Sequence, residues 1–239
     1  MKVIPIKGTI ISNNSKWIYE LFEREATAPK DIVLPETGED VEIHINSGGG
    51  DVYAGSEIYT ALRAYSGRVT VKIVGIAASA ASVIAMAGDS VEISPTAQIM
   101  IHNVSSGVYG DHNALEHEAT VLKGFNKSIA SAYVHKTGKA LPDLLELMNQ
   151  TTWFDAEAAV ENGFADKVMF AQEVAPLLVA SETPMIPQDF IERMQATMTP
   201  DVDKIAELVA QKLAEHEPEK TNTENKKATG PSGFGRFAF

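Results

Sequence analysis

Two serines stand alone among small and aliphatic residues in the stretch VGIAASAASVIAMAG, residues 74–88. Ser79 lies where the strand-like pattern VTVKIV gives way to an apolar helix pattern, so the free N–H groups of a helix start would surround its hydroxyl. Ser82, one turn later, would lie inside the helix, where a serine usually hydrogen-bonds back to the chain. Ser79 is therefore the candidate nucleophile. The alternative is that both serines only allow this helix to pack closely.

Hydrolysis of an amide by serine also requires a general base and hydrogen-bond donors for the oxyanion. The sequence contains candidates for both. His102 follows the strand-like run AQIMI and stands at its C-terminal edge, where open α/β sheets present reactive groups. Gly48, Gly49 and Gly50 come directly after another strand pattern and before a helix pattern. Glycines let backbone N–H groups approach a ligand closely. The set predicts acyl-transfer chemistry, although His102 alone could be structural and the glycines alone a tight turn.

Several other chemistries do not fit the pattern. The segment INSGGGDVYAG has no lysine after its glycines and no G-x-G-x-x-G spacing, so it matches neither common phosphate loop. Ala77 and Ala81 flank Ser79 where the α/β-hydrolase motif requires glycines. The chain has no cysteine, which removes thiolate zinc sites and cysteine nucleophiles. His112 and His117 are five residues apart and do not share a helix face well, so no metal site and no cofactor are predicted.

Charge and hydropathy restrict the partners. The formal net charge of −12 argues against a nucleic-acid partner, because neutralising phosphates requires clustered Lys and Arg. No window approaches the roughly 18 apolar residues of a membrane span. The opening segment is interrupted by Pro5, Lys7 and Gly8, so it does not resemble a signal peptide. These features predict a cytoplasmic protein without a membrane partner.

Alternating strand and helix patterns extend over residues 1–172 and predict an α/β domain whose mixed or parallel sheet is covered by helices. Asp111 is expected to cap a long helix that ends before Gly138, and Asp155 a shorter helix that ends at Gly163. Three further patterns are a helix with Trp17, Leu21 and Phe22 on one face, a helix with Ile58, Ala61 and Leu62 that stops at Gly67, and a central strand RVTVKIVGI.

Residues 173–239 differ in composition and are predicted to form a C-terminal extension. An amphipathic helix is expected over about 201–215, and the polar segment 217–239 is expected to be disordered. The chain ends in FGRFAF, which is either a dangling terminus or a short docking motif.

Four segments, in order, resemble the proteolytic subunit of the Clp protease over about residues 1–170: INSGGGDVYAG, GIAASAASVIAMAG, IMIHNVSSG and WFDAEAAVENGFAD. The resemblance implies a crotonase-like α/β fold, with Ser79 as nucleophile and His102 as base. It also implies oxyanion donation by the N–H groups of Gly49 and Ala80, and peptide substrates bound as an extended strand along the glycine segment. Members of this family stack as seven-membered rings, so a homo-oligomer is expected.

The third triad member departs from the family. When Trp153 is aligned with the family's aromatic residue, the position of the family's aspartate falls on Thr151. Threonine could accept a hydrogen bond from His102 but carries no charge, and loss of the orienting carboxylate can cost on the order of 10⁴ in turnover. Asp155 is the nearest substitute, and its alternative role is that of a helix N-cap.

The ends of the chain also depart from the family. The first strand pattern begins at once, without the segment that forms axial pore loops in the family, and a tail follows the matched region. Clp-like subunits of this kind resemble the head-maturation proteases of tailed phages, which cleave scaffold and capsid proteins without ATP in the host cytoplasm. The alternatives are an ATP-dependent subunit working with an unfoldase, a catalytically weak ring-shaped scaffold, a crotonase-type acyl-CoA enzyme, and a Ser–Lys peptidase with Lys72 or Lys123 as base.

Overall fold

One eight-stranded sheet dominates the part of the chain that the computed structural model describes, which is residues 1–171 together with Phe190 and Arg193. The strands are β1 (Lys2–Ile10), β2 (Ala26–Thr27), β3 (Val41–Gly50), β4 (Val69–Ala78), β5 (Ser90–Ile93), β6 (Gln98–Ile101), β7 (Thr152–Phe154) and β8 (Lys167–Val168). The helices are α1 (Lys16–Leu21), α2 (Val52–Arg63), α3 (Ala80–Ala85), α4 (His112–Thr137), α5 (Leu141–Asn149) and α6 (Ala156–Glu161).

The sheet branches at β4, and this branch creates the candidate site. The main path runs β2-β1-β3-β4-β5-β8 with every neighbour parallel. The first half of β4 pairs with β5, whereas residues 76–78 pair with residues 98–100 of β6. β7 adds to β6 as the antiparallel strand, so the predicted mixed α/β sheet is confirmed. The C-terminal ends of β4 and β6 consequently lie side by side.

The core explains why these strands form where they do. β3 and β4 are rich in β-branched residues, and Val41, Ile43, Val71 and Ile73 are completely buried. Every residue of α3 is buried too, and its alanines let α2 approach closely, because a Cβ added to Gly55 would lie 3.0 Å from the Cβ of Ala80. Close packing therefore accounts for the alanines of this helix.

Most local signals are confirmed, and one helix boundary is corrected. The side chains of Asp111 and Asp155 accept N–H groups at the starts of α4 and α6, and Gly138 ends α4 with a φ of 71°. The helix that was expected to reach Gly67 ends at Arg63, because the chain turns tightly there and the Tyr65 hydroxyl donates to the backbone oxygen of residue 39 at 2.7 Å. Of the three residues expected on one face of this helix, Ile58 and Leu62 are buried and Ala61 is exposed.

The first predicted helix is confirmed as α1, but its apolar face does not pack into the core. Trp17, Leu21 and Phe22 are 65%, 67% and 67% exposed. The inward contact is made instead by Lys16, whose ammonium lies 2.6 Å from a carboxylate oxygen of Asp31 and also donates to a backbone carbonyl.

The chain divides into two units, Met1–Glu173 and Val174–Phe239. The helix predicted over 201–215, the tail 217–239 and its terminal FGRFAF lie outside the described residues. Among the described residues, no helix is both long enough and apolar enough to cross a bilayer.

Candidate active site

Ser79 occupies a strained turn between β4 and α3. Its φ of 54° and ψ of −125° lie in a region that residues other than glycine rarely adopt. The turn is held from both sides, since the Ser79 N–H donates to the oxygen of Met100 in β6 at 2.9 Å and the Ser79 oxygen accepts the N–H of Ser82 at 2.9 Å. This conformation places the Ser79 hydroxyl beside the end of β6.

His102 follows β6 directly and faces that hydroxyl. Its Nε2 lies 2.8 Å from Ser79 Oγ. The pairing of Ala78 with Met100 sets this distance, because it brings the residues after β4 and β6 to the same level of the sheet. With a neutral imidazole protonated on Nδ1, Ser79 Oγ donates to Nε2, which is the arrangement that a general base requires.

Gly49 packs against the nucleophile so closely that only glycine fits. It has a φ of 93°, and an added Cβ would lie 2.7 Å from Ser79 Cβ and 2.9 Å from the nitrogen of Ala80. Gly50 has a φ of 150°, and an added Cβ would lie 2.1 Å from the backbone oxygen of Ile10. Gly48 is exposed and has no heavy atom within 4 Å of its added Cβ. The three glycines thus differ in their surroundings, and of the three only Gly48 has open space beside its backbone.

The two predicted oxyanion donors differ in their present partners. Ala80 is the first residue of α3, so its N–H has no acceptor within the helix. The Gly49 N–H donates to Ser47 Oγ at 3.1 Å, and Ser47 Oγ in turn donates to the oxygen of Gly8 at 2.6 Å. A hole with two donors therefore requires the Gly49 N–H to be shared with, or released from, Ser47.

We expect Gly49→Ala to abolish activity and to destabilise the fold by about 1–3 kcal/mol, because the new methyl group meets backbone atoms at a positive φ. Activity assays and thermal unfolding measure the two effects. Gly48→Ala is the matched control for stability, since its methyl group would enter open space. Equal unfolding temperatures for the two variants would contradict this account.

Thr151 makes no hydrogen bond to His102 in the described part of the chain. The antiparallel pairing of β6 with β7 ends at Ile101 and Thr152, so His102 and Thr151 each lie one residue beyond the last pair. Thr151 has a φ of 53°, and its N–H donates to the oxygen of Met148. The expected third member thus lies at the same end of these two strands as the base, and the residue there supplies no charge.

Asp155 is not brought to the base. Its neighbour Phe154 pairs with Ile99, so Asp155 is level with Gln98, four residues from His102 along the strand, or roughly 13 Å. Its carboxylate accepts the N–H of Ala158 at 2.9 Å. The structure thus supports the N-cap role and gives no contact for the substitute role.

A cleft of ≈ 80 Å³ adjoins the Ser79–His102 pair. Its lining contains no carboxylate and is formed by Gly50, Val52, Gly55, Ser56, Ser79, Ala80, Val83, His102, Asn103, Val104, Ser105, Ile129 and Tyr133. Apolar side chains from α2, α3 and α4 form much of the wall.

Asn103 and Tyr133 are two polar residues of this cleft that the sequence reasoning missed. The Asn103 amide donates to Asn149 at 2.8 Å, while its buried oxygen has no partner among the described residues. Its position directly after His102 was the available signal. No local signal could have linked Tyr133 to the nucleophile, because the helix that carries it follows more than thirty residues later.

The lysine alternatives and the histidine pair receive no support. Lys72 lies earlier in β4 and its ammonium is 2.6 Å from Glu42, where this hydrogen bond and a second one from His44 lower the pKa of the carboxyl. Lys123 does not line the cleft. No cluster of at least three histidine, cysteine or acidic residues suited to a metal occurs in the described residues, which include His112 and His117.

Comparisons with known proteins identify relatives of this chain. The family model described as Clp protease matches residues 31–172, more than half of the chain. The chain is 29% identical over 132 residues to ATP-dependent Clp protease proteolytic subunit 2 of Tropheryma whipplei, covering 54% of this chain and 73% of that protein. It is 32% identical over 136 residues to the ATP-dependent Clp protease proteolytic subunit of Bacteroides fragilis, covering 56% of this chain and 66% of that protein.

A solved structure shares the fold. The structure of a point mutant of ClpP1 from Listeria monocytogenes superimposes with a TM-score of 0.59 at 21% identity, covering 72% of this chain and 92% of that one. The predicted crotonase-like fold is confirmed by this likeness.

Proposed function

Because the chain belongs to the Clp protease family and is a serine-type peptidase, we propose that it is an endopeptidase that cleaves proteins through an acyl-enzyme on Ser79. The observation that carries this proposal is the 2.8 Å contact between Ser79 Oγ and His102 Nε2 beside a cleft. The proposed peptidase domain is residues 1–172, of which the family match covers residues 31–172.

In the proposed reaction His102 acts first as a general base and then as a general acid. His102 Nε2 accepts the Ser79 proton while Oγ attacks the peptide carbonyl, and the Ala80 N–H, with that of Gly49, donates to the oxyanion. Collapse of this intermediate breaks the C–N bond, and His102 gives its proton to the leaving amine. A water deprotonated by His102 then hydrolyses the ester and restores the serine.

The substrate is proposed to lie as an extended strand along the glycine segment, where Gly48 is open. We further propose that subunits assemble as a homo-oligomeric ring, in keeping with the family. No cofactor enters the proposed reaction, and no nucleic-acid or membrane partner is proposed.

The finer proposal is ATP-independent cleavage of scaffold and capsid proteins during phage head maturation. Its support is that the chain continues to Phe239 beyond the family match, which gives a segment able to bind scaffold or capsid, or to be trimmed by the enzyme. The ATP-dependent reading rests on the names of the relatives. The acyl-CoA reading does not need the Ser79–His102 contact.

One observation favours a second candidate, a catalytically weak ring that acts as a scaffold. Thr151, which aligns with the aspartate of the family, carries no charge, and the cleft lining offers no carboxylate in its place. Slow turnover with intact assembly is the behaviour expected of that protein.

We expect the purified protein to cleave an unfolded protein, and a co-expressed capsid or scaffold protein, without ATP. Deletion of residues 200–239 should reduce capsid processing while leaving hydrolysis of a short peptide unchanged, because the cleft lies within the first unit. Mass spectrometry reads both the products and any trimming of the tail. A requirement for ATP and an unfoldase, or a full-length tail with equal processing after the deletion, would contradict the maturation role.

A further inference from the structure

A buried chain of hydrogen bonds links α4 to the backbone of the nucleophile. Ser82 Oγ lies 2.6 Å from the carbonyl oxygen of Ser79 and 2.8 Å from the hydroxyl of Tyr133. Ser82 and Tyr133 are 0% and 1% exposed. A carbonyl oxygen only accepts, so the single proton of Ser82 is donated to Ser79, and Tyr133 must donate its own proton to Ser82.

This chain controls the direction of an oxyanion donor. The carbonyl of Ser79 and the N–H of Ala80 belong to one planar trans peptide unit, in which they point in opposite directions. Holding the oxygen on one side therefore aims the N–H on the other. Three donors meet that oxygen, since the N–H groups of Ser82 and Val83 lie 2.9 and 3.3 Å from it beside the Ser82 hydroxyl.

The same bonds offset the strain of the turn. A residue other than glycine at a positive φ is destabilised and persists only when its surroundings hold it. Each hydrogen bond inside the protein contributes part of the stabilisation that offsets this strain. Tyr133 is itself fixed, because its ring meets Phe164 edge-on with centroids 5.8 Å apart. Burial raises the pKa of its phenol, so the proton that it donates remains in place.

We propose that Tyr133 and Ser82 are positioning residues that aim the Ala80 N–H at the substrate oxyanion through the Ser79 carbonyl. This inference rests on the proposed peptidase function. Under this inference α4, which also lines the cleft, helps to fix the backbone of the nucleophile through Tyr133.

Tyr133→Phe tests the proposal, since it removes one hydroxyl and keeps the ring. The probe is a fluorophosphonate that acylates serine, followed by the rate of inactivation at increasing concentration. We expect the rate at saturation to fall about tenfold, less than complete loss of an oxyanion donor, with the half-saturating concentration unchanged. Ser82→Ala should give a similar loss, and the double variant no further loss, because the two act as a unit.

Thr137→Val is the matched control on the same helix. It removes a hydroxyl that donates to the backbone oxygen of Tyr133 at 2.8 Å, so it should lower stability without changing the saturating rate. A Tyr133→Phe variant that acylates at the wild-type rate, or that slows only as much as Thr137→Val, would overturn the inference alone. Wild-type protein that never labels at Ser79 would overturn both the inference and the peptidase function.

Discussion

Ser79→Ala is expected to abolish covalent labelling by a fluorophosphonate, because the probe forms its bond with Oγ and the variant has no such atom. The loss in peptide hydrolysis should be smaller. In a serine protease with a full triad, removing the serine costs about 2 × 10⁶ in kcat and removing the aspartate alone about 3 × 10⁴. A Ser–His pair without a carboxylate therefore contributes only about 10²-fold, and that is the loss we expect in turnover.

Mass spectrometry of the adduct is the measurement, with two comparison variants. Ser82→Ala should still form the adduct on Ser79, more slowly, since its hydroxyl bonds to the backbone and not to His102. Ser131→Ala, on the exposed face of α4, should label like the wild type. An adduct that survives Ser79→Ala would move the nucleophile to another residue and refute the site. Failure of a folded, assembled wild-type protein to label would favour the scaffold reading.

Thr151→Asp is expected to raise peptide hydrolysis by roughly 10²- to 10⁴-fold, the range that an orienting carboxylate supplies. Residue 151 and His102 each lie one residue beyond the last pair of β6 and β7, so we expect a carboxylate at 151 to accept from Nδ1–H and to stabilise the imidazolium that forms during attack. The backbone favours the change too. Thr151 has a φ of 53°, which suits aspartate better than a β-branched residue.

Thr151→Asn is the control that separates the effect of the added charge in Thr151→Asp from the effect of relieving backbone strain. Asparagine tolerates the left-handed conformation as aspartate does, so both variants should gain stability, but only aspartate should gain activity. Turnover measured with one peptide, beside thermal unfolding of all three proteins, gives the comparison. An unchanged rate in a folded Thr151→Asp variant would show either that the alignment of Thr151 with the family aspartate is wrong or that another group already orients His102.

The two predictions describe a site that is well built around the nucleophile and incomplete around the base. The turn at Ser79 is held by bonds to β6 and α3, and Gly49 leaves space for it. His102 has its serine partner but no carboxylate in the cleft lining. Such a site is expected to turn over slowly, because no carboxylate of the cleft lining orients the base.

Local chemistry made much of this protein readable from its sequence. Ser79 and His102 could be chosen because each follows a strand pattern at the edge where parallel strands present reactive groups. The caps at Asp111 and Asp155 could be chosen because a cap depends on residues within one turn. Gly49 could be singled out as a glycine, although not the close approach to Ser79 that requires it.

Tertiary structure decided whatever depends on partners distant in the chain. The apolar face of α1 is exposed because Lys16 makes the inward contacts. The level of Thr151 and Asp155 relative to His102 follows from the antiparallel pairing of β6 with β7, which no single strand pattern specifies. The hydrogen bond from the Tyr133 hydroxyl to Ser82 Oγ connects α4 with α3, which are far apart in the sequence. The sequence by itself thus determined which residue types are present and which chemistry they can perform. Their orientation and hydrogen-bond partners were decided by the tertiary structure, because long-range packing brings separate segments together.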